Sequence, residues 1–260
     1  MNGCNVCNGN LTFFARSKVL NKYDVDYFRC GDCGFIQTES PFWLDEAYSK
    51  VINRSDVGLV ARNIQLSGVT RSLISTSFNP DGDFLDYGGG YGLFVRLMRD
   101  AGYKFHYYDK YSQENHFANG LETILDDNSE FELVTAFEVL EHLVDPVGEI
   151  AKMLALSKNL MVTTQVISSP VPKPEEWWYY GLDHGQHISF YTLKSLSKLA
   201  ENFSLNFYSN QSDVHLFTEK RISPAYFKFA TSQLGARFVN MFHKRKSLIG
   251  MDYQNSIGSK

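Results

Sequence analysis

At 260 residues and 29.7 kDa, with 43% hydrophobic and 21% charged residues, the chain is long enough for one α/β core plus a small appendage, and its composition excludes a largely disordered protein. The net charge of −4 conceals an asymmetry: from Thr218 onward there are eight Lys/Arg against two Asp/Glu, while the preceding 217 residues hold 17 basic and 27 acidic groups. An acidic body argues against nucleic acid as the main partner, because phosphate neutralisation needs clustered Lys/Arg.

The opening Met1-Asn2-Gly3-Cys4 shows no basic region followed by an apolar run, and no apolar segment reaches transmembrane length, so a cytoplasmic protein is expected. All four cysteines follow at once, as Cys4-x-x-Cys7 and Cys30-x-x-Cys33. Two such knuckles let four thiolates converge on a zinc ion and leave no open position, which reads as a structural ribbon over 1–40. A thioredoxin-like redox pair would want one C-x-x-C beside a βαβ pattern, which is absent. Between the knuckles, Leu11-Thr12-Phe13-Phe14 and Tyr23 to Arg29 read as the two strands of a hairpin.

Pro41-Phe42-Trp43-Leu44 opens a linker, and 45–73 reads as one or two helices. Strands are then expected at Phe84 to Tyr87, Lys104 to Tyr108, more weakly around Thr123-Ile124-Leu125, and at Leu133 to Phe137 and Asn159 to Thr164. Helices alternate with them at 92–98 and 147–156, followed by one at 193–202. Two final strands, near 205–208 and 214–217, pair antiparallel at the sheet edge. The pattern predicts an α/β class, a doubly wound Rossmann-like seven-stranded sheet with an N-terminal zinc ribbon. The domain reading is therefore a ribbon over 1–40, the main domain over 41–218 and a basic helical extension over 219–260. That extension is read as a solvated helix, with contact to an anionic membrane surface or a partner as the alternative.

Asp86-Tyr87-Gly88-Gly89-Gly90-Tyr91-Gly92 follows the first main strand with glycines at 88, 90 and 92. The dinucleotide fingerprint needs its third glycine at 93, which is Leu, so the spacing favours S-adenosylmethionine over a nicotinamide cofactor. Asp86 brings negative charge where a phosphate loop would avoid it, matching the cofactor's ammonium and sulfonium. Asp109 at the next strand end is a bidentate acceptor for ribose hydroxyls, Asp126 (or Asp127) is placed to accept from the adenine amine, and Phe137-Glu138 to close over the base. Tyr87, Gly88 and Gly90 complete the expected cofactor set, and Tyr48 is placed near the methionine end.

Through the 86–92 loop, Asp109 and Phe137-Glu138-Val139-Leu140-Glu141-His142-Leu143, the chain resembles class I S-adenosylmethionine-dependent methyltransferases over roughly residues 45 to 217. With its ribbon, it is similar to zinc-ribbon-containing sugar methyltransferases, including C-methyltransferases of deoxysugar biosynthesis. In those, a His-Glu-His-x-Ser-Tyr-Phe motif after the fifth strand supplies a catalytic base from its second His. Here the matching stretch is Gly185-Gln186-His187-Ile188-Ser189-Phe190-Tyr191, so the resemblance implies His187 as the base, with the first His and the Glu replaced. That replacement, and an ending without the extra C-terminal domain of the C-methyltransferases, turn the expectation toward O-methylation of a sugar in polysaccharide or glycan biosynthesis.

A hydroxyl needs a base, and histidine suits that role near neutral pH; His184 and His142 are the secondary candidates. Asp183 is placed to orient an imidazole. Trp177-Trp178-Tyr179-Tyr180 is expected to be partly exposed as a platform for a sugar ring. The competing readings are carbon methylation, methylation of a quinone or phenol, which the Glu-Val-Leu-Glu-His-Leu segment also resembles, and a non-catalytic adaptor that binds the cofactor.

Overall fold

The computed structural model describes residues 3–49, 56–110, 115–126 and 128–258. The ribbon hairpin pairs β1 (Leu11–Val19) with β2 (Tyr23–Cys30), and β3 (Ile36–Thr38) follows. Two residues at positive φ, Leu20 and Asn21 at 55° each, turn the hairpin tightly. Next come α1 (Leu44–Ala47), α2 (Leu59–Ser77), β4 (Asp83–Tyr87), α3 (Leu93–Asp100), β5 (Lys104–Tyr108) and β6 (Leu133–Phe137). The chain continues through α4 (Pro146–Leu156), β7 (Asn159–Thr163), β8 (Ser189–Phe190), α5 (Leu193–Asn202), β9 (Asn206–Ser209) and β10 (Val214–Thr218). Three helices follow: α6 (Pro224–Thr231), α7 (Gln233–Phe242) and α8 (Ile249–Gly258).

The larger sheet is mixed and six-stranded, in the order β5-β4-β6-β7-β10-β9. In it β4 lies parallel to both neighbours, with Phe84 opposite Phe105 on one side and Leu133 on the other, whereas β9 and β10 are antiparallel. The seventh strand expected around Thr123-Ile124-Leu125 is a correction: the segment contributes one isolated parallel bridge, Tyr107 to Glu122. Its apolar run is too short to be covered, and Ile124 is exposed. Asp127 lies outside the described residues.

The described chain forms two compact units, each assembled from separated segments. The first comprises Met1–Asn53, Glu138–Lys152 and Val162–Glu219. Its core gathers Val19, Val25 and Tyr27 of the hairpin with Ile36, Trp43, Tyr179, Tyr180, Ile188 and Phe190. The reading of 41–44 as a linker is corrected here, because Trp43 is buried and its indole N–H donates to the Gly185 carbonyl at 2.8 Å. The smaller sheet runs β1-β2-β3-β8, so the ribbon pairs with the short strand that precedes α5, Ile36 opposite Phe190.

The second unit comprises Arg54–Phe137, Met153–Met161 and Lys220–Lys260. Phe84 stacks on Phe105 at 5.1 Å, and Phe94 from α3 meets both Phe105 and Phe137 edge-on. These rings fix α3 against the strands that carry the glycine loop. No helix of the described chain is long and apolar enough to cross a membrane.

Candidate active site

In the second unit the strand order reverses at β4, between β5 and β6, which is where an open α/β sheet offers a crevice at its carboxyl edge. Gly88, Gly90 and Gly92 of the loop after β4 adopt φ of 78°, 54° and 77°, conformations that side chains rarely tolerate. A Cβ at Gly92 would also sit 2.6 Å from that of Ala118. The loop is pinned at Gly90: its N–H donates to Asp109 Oδ2 at 2.9 Å and its carbonyl accepts from the Tyr107 hydroxyl at 2.8 Å. Asp109 is thus placed at the loop, with one carboxylate oxygen engaged by the backbone. A bare, rigid main chain bounded by carboxylates fits a nucleoside-bearing cation.

The other cofactor candidates differ in their surroundings. Asp86 is buried, and accepts from the Thr135 hydroxyl at 2.7 Å. Tyr87 is buried, its ring 5.0 Å from that of Tyr108. Phe137 packs on Phe94 at 4.8 Å. Asp126 is exposed and caps its own turn, accepting from Ser129 Oγ at 2.8 Å and the Asn128 N–H at 3.1 Å.

Glu138 opens the next segment of the first unit, at a positive φ of 53°, an uncommon conformation for a non-glycine residue. Its N–H donates to Thr163 Oγ1 at 2.9 Å, and the same hydroxyl donates back to the Glu138 carboxylate at 2.7 Å.

The first unit brings the three candidate histidines together. Ring centroids of His142 and His187 are 4.9 Å apart, and those of His184 and His187 4.8 Å. His187 Nδ1 lies 2.6 Å from the Tyr179 carbonyl. A carbonyl only accepts, so Nδ1 carries the proton and Nε2 of the neutral ring carries the lone pair. His142 has the same tautomer, its Nδ1 donating to the Gln186 carbonyl at 3.0 Å, and burial lowers its pKa. His184 has the opposite one: its Nδ1 accepts the Gln186 N–H at 3.1 Å, and burial again disfavours the charged ring. The lone pair of His184 is therefore spent on the backbone, while Asp183 beside it is exposed.

The loop that holds His187 is fastened on both sides. The Ile188 N–H donates to the Glu141 carbonyl at 2.8 Å, Ser189 Oγ to the Leu143 carbonyl at 2.8 Å and the Tyr191 hydroxyl to the Leu140 carbonyl at 2.9 Å. The Tyr48 ring stands 6.1 Å from that of His142. The aromatic run is partly exposed, as expected: Trp178 is 76% exposed, while Tyr179 and Tyr180 are core. Core demand wins because Tyr180 meets Tyr27 edge-on at 5.5 Å and Phe190 at 4.4 Å.

Both departures from the His-Glu-His pattern have structural reasons. Gly185 sits at a φ of 68°, and a Cβ there would lie 2.7 Å from Val19 Cγ1 and 3.2 Å from the Trp43 ring. Gln186 is buried and its amide donates to the Ala47 carbonyl at 2.9 Å, a bond an ionised Glu cannot make. Gly185→Ala is accordingly expected to destabilise the first unit by about 2–4 kcal/mol, from left-handed strain plus overpacking. Urea denaturation checks this, and an unchanged midpoint would mean that Val19 simply moves aside.

The four cysteines form the second centre, and no disulfide joins them. Their sulfurs all lie within 4.8 Å of one another, with Cys4–Cys33 and Cys7–Cys30 each at 3.6 Å. A tetrahedral zinc with Zn–S near 2.3 Å places its sulfurs about 3.8 Å apart, so the spacing fits. The hydrogen bond between the two thiols draws the Cys4 pKa down to about 5, and the same bond, with burial, pushes the Cys33 thiol up.

Comparison with known proteins identifies the fold. A family model described as a methyltransferase domain matches residues 62–210, more than half of the chain. The chain belongs to this methyltransferase family. It is an S-adenosylmethionine-dependent methyltransferase.

One such neighbour is the plantazolicin methyltransferase BpumL in complex with a monoazolic desmethylPZN analog and SAH. It is 14% identical, with a TM-score of 0.51 over 77% of this chain and 88% of that one. An O-methyltransferase family protein from Burkholderia thailandensis is 10% identical, TM-score 0.49, over 71% of this chain and 65% of the other. Human N-acetylserotonin methyltransferase in complex with SAM is 14% identical, TM-score 0.44, over 69% and 66%. At such identities the likeness shows the fold alone. No sequence among the curated proteins matches the chain.

In this methyltransferase, burial raises the Asp86 carboxyl to about 7, opposed by the Thr135 hydrogen bond and reinforced by Asp109. Between roughly pH 4 and 7 the folded protein therefore holds a proton that the unfolded chain has lost, and cofactor-free stability falls as pH rises through that window. A cationic ligand prefers the ionised carboxylate, so affinity for S-adenosylmethionine should rise over the same window and level off above it. Calorimetry is expected to show binding about tenfold weaker at pH 6 than at pH 8, and a flat profile for Asp86→Asn. A pH-independent wild-type affinity would remove Asp86 from cation recognition.

Two residues of the methyltransferase were read from the sequence for less than the structure gives them. Glu141 is fully buried, and one donor atom from each of Glu141, His142 and His187 lies within 4.8 Å of the others. Only its place next to His142 hinted at this. Tyr179, taken for a sugar platform, supplies the carbonyl that fixes the His187 tautomer; no side-chain pattern encodes a backbone contact.

Proposed function

We propose that the chain methylates a hydroxyl of a sugar in glycan or polysaccharide biosynthesis, with His187 as general base. The reading divides the chain into a zinc ribbon over 1–40, a methyltransferase domain over 41–218 and a basic helical extension over 219–260, with the protein working in the cytoplasm. The observation that carries the base assignment is the Nδ1 hydrogen bond of His187 to the Tyr179 carbonyl, which sets the tautomer in which Nε2 is the basic nitrogen. Asp86, Tyr87, Gly88, Gly90, Asp109, Phe137 and Glu138 hold the cofactor, and Asp126, tied into its turn, is the weakest member of that set.

Bound S-adenosylmethionine supplies an activated methyl group, so the protein's own task is to orient the acceptor and remove its proton. Glu141, buried beside the two imidazoles, balances the charge that His187 gains. His142, with the same tautomer, is placed to hydrogen-bond the acceptor. Exposed Trp178 offers an apolar ring face to a sugar. Cys4, Cys7, Cys30 and Cys33 hold a structural zinc. A methyl-transfer screen against nucleotide sugars and oligosaccharide fragments tests the reading; turnover of phenols or quinones alone would favour the other acceptor class.

The clustering of Glu141, His142 and His187 favours one second reading, a divalent cation held by these three donors that lowers the acceptor's pKa directly. The cation would occupy the lone pair the base needs. Turnover that survives chelation while the cysteine-bound zinc is retained supports the base; turnover restored only by added divalent metal supports the cation.

A further inference from the structure

The C-terminal helices of the second unit carry an apolar face that the methyl-transfer chemistry does not use. On α7, Leu234, Phe238, Met241 and Phe242 recur at i, i+4, i+7 and i+8 and are 79%, 57%, 57% and 66% exposed. The other side of the helix is buried through Gly235, Ala236 and Val239, and Asn240 Nδ2 donates to the Gly68 carbonyl of α2 at 2.8 Å. The ridge continues onto α6: the Phe229 ring lies 6.3 Å from Phe238, which lies 5.2 Å from Phe242. On α8, Ile249, Tyr253 and Ile257 form a second exposed stripe at i, i+4 and i+8, while Asp252 turns inward to Arg96 and Arg99.

The charge on these helices has one sign. Arg221, Lys228, Arg237, Lys244 and Lys246 are exposed, and the one acid between Lys220 and Gly258 is the inward-facing Asp252. We infer that this face docks on a bilayer surface carrying anionic lipid. Aromatic and aliphatic side chains rimmed by cations match the boundary between headgroups and acyl chains, whose negative potential attracts Lys and Arg. A second copy seated through the same face would set the cations against one another. Nucleic acid would use the cations but leave Leu234, Phe238 and Met241 of the ridge with nothing to contact. The inference is independent of which acceptor the active site takes.

Co-sedimentation of the full chain with vesicles tests it. Vesicles of phosphatidylcholine with about 30% phosphatidylserine should pellet the protein at least tenfold better than phosphatidylcholine alone, at near-physiological salt. Phe238→Asp with Phe242→Asp should reduce that partitioning by about tenfold or more, and Arg237→Glu with Lys244→Glu should reduce it to a similar degree. Unchanged circular dichroism and unchanged methyl transfer to a soluble acceptor show that the variants are folded. The inference is overturned if wild type fails to pellet with anionic vesicles or if the variants pellet like wild type. It is also overturned if the wild type sediments as a dimer that the Phe variants dissolve, or binds an oligonucleotide more tightly than the vesicles.

Discussion

His187→Ala is expected to lower kcat on the true acceptor by about 10²–10⁴ while leaving the affinity for S-adenosylmethionine within about twofold of wild type. The separation is expected because the proposed cofactor contacts, the glycine loop, Asp109 and Glu138, do not include His187. His184→Ala should cost about tenfold or less, because its Nδ1 is already an acceptor for the Gln186 N–H. A His184 variant as damaged as the His187 variant would show that the tautomer argument picks the wrong ring. An unchanged kcat in His187→Ala would remove that residue from the mechanism.

Loss of the zinc proposed at the four cysteines is the second large effect expected. Freshly purified protein should carry one zinc per chain, and Cys30→Ser or Cys33→Ser should abolish both the metal and methyl transfer, by about 10² or more, while cofactor binding persists. Structural zinc in small ribbons contributes on the order of 10–16 kcal/mol, comparable to the whole stability of a domain. Its loss is thus enough to melt the ribbon.

The damage would spread along named bonds within the first unit. The Thr192 hydroxyl donates to the Cys33 carbonyl at 2.6 Å, and the Thr38 N–H to the Ile188 carbonyl at 3.1 Å, one residue from the base. Ile36 and Gln37 pair with Phe190 and Ser189, and Asn5 Nδ2 donates to the Val144 carbonyl at 3.0 Å. Metal content checks the first half of the expectation and calorimetry with S-adenosylmethionine the second. Full activity in metal-free protein would show that the ribbon is an appendage rather than a support for the segment that carries His187.

Legibility in the sequence followed the range of the interactions. The strands Asp83–Tyr87 and Leu133–Phe137 and the helix Leu93–Asp100 were readable because a buried parallel strand is a continuous apolar run and a helix repeats every three to four residues. The weak strand at Thr123-Ile124-Leu125 was not separable from a loop, since three apolar or β-branched residues can be exposed as easily as buried. Thiol spacing announced the cysteine cluster but not that β3 would pair with β8, because strand pairing across some 150 residues leaves no local mark. Trp43 looked like part of a linker for the same reason: its partner, the Gly185 carbonyl, is distant in sequence and made of backbone. Gly185 itself was read as a lost histidine, whereas its φ of 68° and the nearby Val19 show a position that a side chain would strain.

If His187 accepts the proton of a sugar hydroxyl, methyl transfer to that hydroxyl depends on its imidazole. The most direct measurement is transfer of ¹³C-methyl from labelled S-adenosylmethionine to a panel of nucleotide sugars and oligosaccharide fragments, with the product read by NMR, for wild type and His187→Ala. Wild type is expected to place label in a sugar O-methyl ether, and the variant almost none. Label on a ring carbon or on a phenol, or equal labelling by the variant, would contradict it.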